Sequence, residues 1–158
     1  MPTSDTSATR KRNESLVTIQ YGVPRKGVPS AMRFRAWAKV ALVRVATVTL
    51  RIVDEEEGRA LHRNYRDRDY PTNVLTFVYS TRPPLAGDIA LCAPVIAREA
   101  RAQEIALDAH YAHLTVHGLL HLQGYDHMDD RGAADMEARE SRIMKALGFA
   151  DPYGEANT

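Results

Sequence analysis

The sequence predicts an α+β domain: one small mixed sheet of about four strands, covered by helices. Three observations carry that reading. Short runs rich in β-branched residues fall only before residue 93, and helix-patterned segments separate them. From Pro94 onward every ordered stretch reads as helix. The length of 158 residues, 44% hydrophobic and 26% charged, is enough for one buried core and ordinary for a globular domain.

Residues up to about Glu14 are rich in Ser, Thr and charge and read as a disordered tail. Leu16 to Tyr21 alternates apolar and polar residues, as a half-buried strand does. Ser30 is placed to cap a helix running to about Val43, with Met32, Trp37, Val40 and Ala41 available to cover one side. Ala46 to Val53 is dominated by β-branched residues and gives a second strand. Glu55 to Glu57 put negative charge at the start of a short helix, Glu56 to Asn64, where it favours the helix dipole. Pro71 ends any helix before it, and Asn73 to Val78 supplies a third strand. Pro83, Pro84 and Gly87 mark a turn before a fourth, Asp88 to Cys92. Pro94 suits the first turn of a helix reaching about Gln103, and Asp108 begins the next. Asp129 or Asp130 opens the last helix, which runs to Leu147 before Gly148; its Met136, Ile143, Met144 and Leu147 are core candidates. Short strands with long connections leave the strand order open, and no repeat or linker divides residues 15–153.

Composition narrows the setting. A lone cysteine, Cys92, rules out an intrachain disulfide and points to a reducing cytoplasm. The first 15 residues are too polar for a secretory signal, and the apolar stretch Ala31 to Val43 carries Arg33, Arg35 and Lys39, so no membrane partner is expected. The net charge of +1 hides an asymmetry. Met1 to Tyr70 holds 14 Lys and Arg against 8 Asp and Glu, whereas Pro71 to Thr158 holds 7 against 12. A basic first half can meet an anionic partner, although a solvated surface of mixed charge gives the same count.

The stretch with chemistry in it is His117 to His127, HGLLHLQGYDH. His117 and His121 are four apart and project from one helical face, within reach of a common ion. Gly124 ends the helix, so Tyr125, Asp126 and His127 can fold back toward the pair. Three neutral imidazoles with a fourth position open are the donor set of a catalytic zinc, though imidazole also suits nickel, copper and iron. The spacing matches the metzincin pattern H-E-x-x-H-x-x-G-x-x-H except that Gly118 stands at the glutamate, which removes a peptidase's proton acceptor. His113, His117 and His121 form a competing triplet, but about 12 Å of helix separates His113 from His121, too far for one zinc with ligands at about 2 Å. His113 therefore reads as a packing or outer residue, and His110 and His62 as surface or hydrogen-bonded side chains.

HGLLHLQGYDH, together with PTNVLTF at Pro71 to Phe77, GDIALC at Gly87 to Cys92, the Leu61/Tyr65–Arg66 segment and the ALGFADPY ending, resembles the YbeY family of bacterial endoribonucleases. The resemblance runs from about Leu61 to Tyr153; the first sixty residues fit in layout only. It implies a single metal-dependent endoribonuclease domain over residues 15–153, specific for single strands, with His117, His121 and His127 as zinc ligands and Arg66 as the arginine of catalysis. It further implies maturation of the 3′ end of small-subunit ribosomal RNA and ribosome quality control. The partners are then single-stranded RNA, the small subunit and its assembly factors, with no DNA. His62 stands where the family usually has Asn, Thr76 where it often has Ser, and Val78 where it often has Pro.

The chemistry agrees with that implication. A His₃ zinc can polarise a phosphoryl oxygen, and a guanidinium such as that of Arg66 can hold two phosphate oxygens at once. Without the resemblance, Arg66 would read as one more surface arginine in the charged run Arg63 to Asp69. Asp126 is either a proton acceptor or a residue that orients a ligand; Asp88 can be purely structural. Two rival readings remain: an RNA-binding ribosome-assembly factor with a structural zinc, and a metzincin-like peptidase without its base.

Overall fold

The computed structural model describes residues 14–126 and 129–154. The N-terminal tail expected from composition, residues 1–13, lies outside the described residues, as do His127, Met128 and residues 155–158.

Four strands, β1 (Leu16–Tyr21), β2 (Ala46–Val53), β3 (Val74–Ser80) and β4 (Leu85–Cys92), form one sheet in the order β1-β2-β4-β3. The first three neighbours are parallel, with Leu16 opposite Thr47 and Ala46 opposite Leu85, and β3 runs antiparallel along β4. The helices are α1 (Ala31–Ala41), α2 (Glu55–Arg66), α3 (Ala93–Gln103), α4 (Leu107–Leu122) and α5 (Asp130–Ala146). The mixed sheet and the helix-only second half agree with the α+β expectation.

The two-residue period of β2 explains the layering. Ala46, Val48, Leu50 and Ile52 face one side with Leu85, Ile89 and Leu91 of β4, and pack under Phe34 and Trp37 of α1 and Leu119 and Leu122 of α4. Val53, Ala90 and Cys92 join Leu75, Val95 and Leu61 in a smaller cluster that includes a residue of α2. Central parallel strands are thus covered on both faces, as their backbones require.

In α1 the buried stripe is Phe34, Trp37, Ala38 and Ala41, whereas Met32 is 79% and Val40 41% exposed. At about 100° per residue Met32 lies across the helix from Phe34 and Val40 well off the stripe, so neither covers the core as expected. Ser30 does cap the helix, accepting from the Arg33 N–H at 3.2 Å. Asp129, rather than Asp130, caps α5, accepting from the Gly132 N–H at 2.7 Å.

Two boundaries differ from expectation in ways that matter. Helix α2 continues two residues past Asn64, so Arg66 sits in its last turn, and Asp67 closes it in the left-handed region (φ 57°). Strand β4 begins at Leu85, three residues early. Gly87, expected in a turn, is inside the ladder opposite Val78. A Cβ there would lie 2.5 Å from the Phe77 carbonyl oxygen and 2.6 Å from Leu122 Cδ1. The glycine marks a close approach of backbone and helix, not a turn.

Helix α4 is the hub of the fold. Ten of its sixteen residues are buried, among them Leu114, Val116, Leu119, Leu120 and Leu122. Burying each such side chain contributes about 1.5–3 kcal/mol, and a Leu119→Ala cavity would cost about 2–5 kcal/mol.

Candidate metal centre

The i, i+4 geometry of α4 delivers what the sequence promised. His117 and His121 project from one face, ring centroids 4.6 Å apart and planes at 82°, with their Nε2 atoms 3.2 Å from each other. On the far side of the His117 ring, Nδ1 lies 2.7 Å from Glu140 Oε2. A carboxylate only accepts, so Nδ1 carries the proton, which in a neutral imidazole leaves the lone pair on Nε2, the atom nearest His121. Two nitrogens bound tetrahedrally to zinc at about 2.0–2.1 Å stand roughly 3.3 Å apart. The observed spacing fits that edge; it also suits an N–H of His121 donating to His117 Nε2. His127, the third expected ligand, lies outside the described residues, and among those described no three candidate ligand side chains gather at one point.

The expected helix break is present. Gly124 has φ 101°, the Gly124 N–H donates to the His121 carbonyl at 3.0 Å, and the Tyr125 N–H reaches back to Leu120 at 3.1 Å. Gln123 ties this end down. Its buried amide accepts from the Val43 and Arg44 N–H groups at 2.9 and 3.2 Å and donates to the carbonyls of Ala41 and Leu119 at 2.9 and 3.0 Å. Gly132 of α5 presses against Asp126, whose carbonyl oxygen is 2.8 Å from where a Cβ would stand. The Asp126 side chain is exposed at the edge of the histidine cleft.

Gly118 explains why no glutamate follows His117. A Cβ at that position would meet Ile89 at 3.0 and 3.2 Å and Thr76 Oγ1 at 3.3 Å. Where the metzincin pattern carries its base, this helix lies directly on β3 and β4.

Sequence reasoning missed Glu140. It is fully buried on α5 and accepts from His117, from His113 Nε2 at 2.6 Å and from the Tyr153 hydroxyl at 2.5 Å. Burial pushes its pKa up, but the hydrogen bonds from His113, His117 and Tyr153 together outweigh that and hold it at about 2. A signal was available: Met136, Glu140 and Met144 are four apart on the buried face of α5, and a carboxylate inside an apolar stripe demands partners. His113, which reads from the sequence as a packing or outer residue, is hydrogen-bonded to Glu140 and lies 3.1 Å from the Tyr153 hydroxyl. His110 and His62 are hydrogen-bonded rather than exposed: His110 Nε2 meets Glu99 at 2.8 Å, and His62 Nδ1 meets the Tyr70 carbonyl at 2.8 Å. Asp88 accepts from the Tyr79 hydroxyl at 2.9 Å, away from the histidines.

The histidine pair opens into a cleft of about 850 Å³ whose lining includes Arg66, Arg68, Tyr65, Tyr70 and Thr76. Arg66 thus shares a surface with the candidate ligands, which its place in a charged run could not reveal. Its guanidinium carbon is 5.3 Å from the Tyr65 ring, and that ring packs on Phe77 at 4.4 Å. Tyr70 meets His62 edge-on at 4.9 Å and is 53% exposed. Among the described lining residues Asp126 is the one carboxylate, so the cleft favours an anion.

A family profile described as Endoribonuclease YbeY matches residues 27–148. The Endoribonuclease YbeY of Methylobacillus flagellatus is 56% identical over 137 residues, which cover 87% of this chain and 92% of that protein. That of Nitrosomonas europaea is 49% identical over 160 residues, covering 97% and 98%. The solution structure of TM1509 from Thermotoga maritima shares the fold, with a TM-score of 0.54 at 21% identity, over 89% of this chain and all of that one.

Proposed function

The chain belongs to the endoribonuclease YbeY family, and from that premise we propose a zinc-dependent cut in single-stranded RNA in the cleft that His117, His121 and Arg66 line. His117, His121 and His127 hold the ion. The substrate is ribosomal RNA, the task is maturation of the small-subunit 3′ end and ribosome quality control, and the setting is the cytoplasm, beside the small subunit and its assembly factors. The observation that carries the reading is the pair of Nε2 atoms 3.2 Å apart in the same cleft as Arg66.

When bound, zinc would polarise a phosphoryl oxygen and lower the pKa of a water. The chain's own residues do the rest. Arg66 offers a planar fork to two phosphate oxygens as their charge grows, and the Tyr65 ring beside it restricts where the fork can lie. Arg68 adds a second cation for the backbone. Tyr70 exposes a ring on which an unpaired base can stack, which favours single strands, because a duplex hides its base faces. Asp126 either accepts a proton or orients a ligand. The attacking group is the RNA's own 2′-hydroxyl or a water. Product ends decide between them, since 2′-hydroxyl attack leaves a cyclic phosphate.

The test combines metal analysis with cleavage of a defined single-stranded RNA by repurified wild type, Arg66→Glu and His121→Ala. Zinc in the wild type and loss of cleavage in both variants is the expected result. Equal cleavage by wild type and His121→Ala would instead favour an RNA-binding assembly factor whose zinc is structural.

A further inference from the structure

Glu140 reaches three donors, two from successive turns of α4 and one from the turn after α5. Oε1 takes His113 at 2.6 Å and the Tyr153 hydroxyl at 2.5 Å, and Oε2 takes His117 at 2.7 Å. His113 Nε2 also lies 3.1 Å from the Tyr153 oxygen, so two donors crowd one oxygen while His117 has the other to itself. The carboxylate is fully buried, and Tyr153 is held over it by Asp151, which accepts from the Tyr153 N–H at 2.9 Å and from the Ser141 hydroxyl at 2.7 Å.

We propose that Glu140 is the positioning residue of this site: by accepting from His117 Nδ1 it fixes that ring's tautomer and turns the Nε2 lone pair toward His121. The inference rests on the reading of His117 as a ligand. A neutral imidazole has one lone pair on its ring nitrogens, and a metal can use it only if the proton is on the other nitrogen. The 3.2 Å contact between the two Nε2 atoms tolerates a proton on either, whereas a carboxylate 2.7 Å from Nδ1 demands one there. Glu140 removes the choice before any ion arrives.

Glu140→Gln isolates this role from packing, because the amide keeps shape but has one acceptor oxygen and one donor nitrogen. Two donors converge on the Oε1 position and one on Oε2, so the amide oxygen goes to His113 and Tyr153 and the NH₂ faces His117. His117 Nδ1 must then accept, the proton moves to Nε2, and the lone pair that faced His121 is lost.

The experiment has two readouts on the full-length chain. Ring ¹⁵N NMR of the zinc-free protein, well above the pH range of imidazole titration, distinguishes protonated from lone-pair nitrogens. We expect the Nδ1–H tautomer at His117 in the wild type and the Nε2–H tautomer in Glu140→Gln. Zinc affinity, measured by competition with a chelating dye, is expected to fall about 10- to 100-fold in Glu140→Gln, the range for loss of a ligand's outer partner. A variant with lowered thermal stability but unchanged tautomer and zinc affinity would make Glu140 a packing residue and overturn the proposal. If Glu140→Gln does not fold, the wild-type spectrum still decides: an Nε2–H tautomer or a mixture at His117 overturns it. A protein with the predicted tautomer that binds no zinc refutes the metal reading and leaves the positioning intact.

Discussion

Gly118→Ala sets two opposing effects of known size against each other. Alanine in place of glycine inside a helix gains about 1 kcal/mol of intrinsic propensity. The added methyl, however, would stand 3.0 and 3.2 Å from two carbons of Ile89 and 3.3 Å from Thr76 Oγ1. Ile89 is fully buried in a central strand and cannot withdraw into solvent, so the helix must shift or the side chain must leave its rotamer. Overpacking of this kind costs about 1–3 kcal/mol. The balance is a net loss of roughly 1 kcal/mol, or a melting temperature lower by about 2–4 °C for a domain of this size. Gly118→Glu forces a carboxylate into the same contact and should cost more, because no buried charge is tolerated without partners. Thermal and urea unfolding of the zinc-free chains measures both. An alanine variant more stable than wild type by the whole propensity gain would show that α4 does not press on the sheet at this point, and the steric account of the missing glutamate would fall with it.

Other outcomes follow from the cleft. Arg66→Lys should lower kcat/KM for RNA by about 10²–10³, the usual cost of losing one charge-stabilising donor, with melting temperature nearly unchanged because the side chain is exposed; equal losses of stability and rate would remove Arg66 from the chemistry. Tyr70→Ala should weaken binding of single-stranded RNA by about 1–3 kcal/mol without altering its salt dependence, as read by titration at two ionic strengths. Arg68→Gln should do the converse, reducing the slope of log K against log salt by about 1; an RNA affinity that barely responds to salt in the wild type would refute backbone contact altogether. Gln123→Ala should destabilise by about 1–3 kcal/mol, because it strips partners from the Val43 and Arg44 N–H groups and the Ala41 carbonyl, and denaturant unfolding would detect a smaller effect.

Strand positions were legible where the period was clean: β1 and β2 have the bounds their alternation and β-branched content predict. The register of β4 was not, because Gly87 carries the same letter whether it makes a turn or lets Leu122 approach a backbone. The histidine pair could be read from spacing alone, since i and i+4 share a helical face whatever surrounds the helix. Arg66 needed the resemblance, for a cation in a charged run gives no local sign that the fold will place it in the wall of the same cleft as a histidine 51 positions later. Tyr70 and Glu140 depended on tertiary assembly as well. The first is an ordinary loop aromatic until the cleft forms around it; the second stands out as a carboxylate four residues from Met136 and from Met144, but its partners His113, His117 and Tyr153 are brought to it by the fold.

That α4 lies at the centre of the core has a kinetic consequence. Its amide protons between Leu114 and Leu120 belong with the last to exchange, since freeing them requires the surrounding layers to part. Because both histidines are carried on that rod, the spacing of their backbone anchors survives any motion that leaves the helix folded.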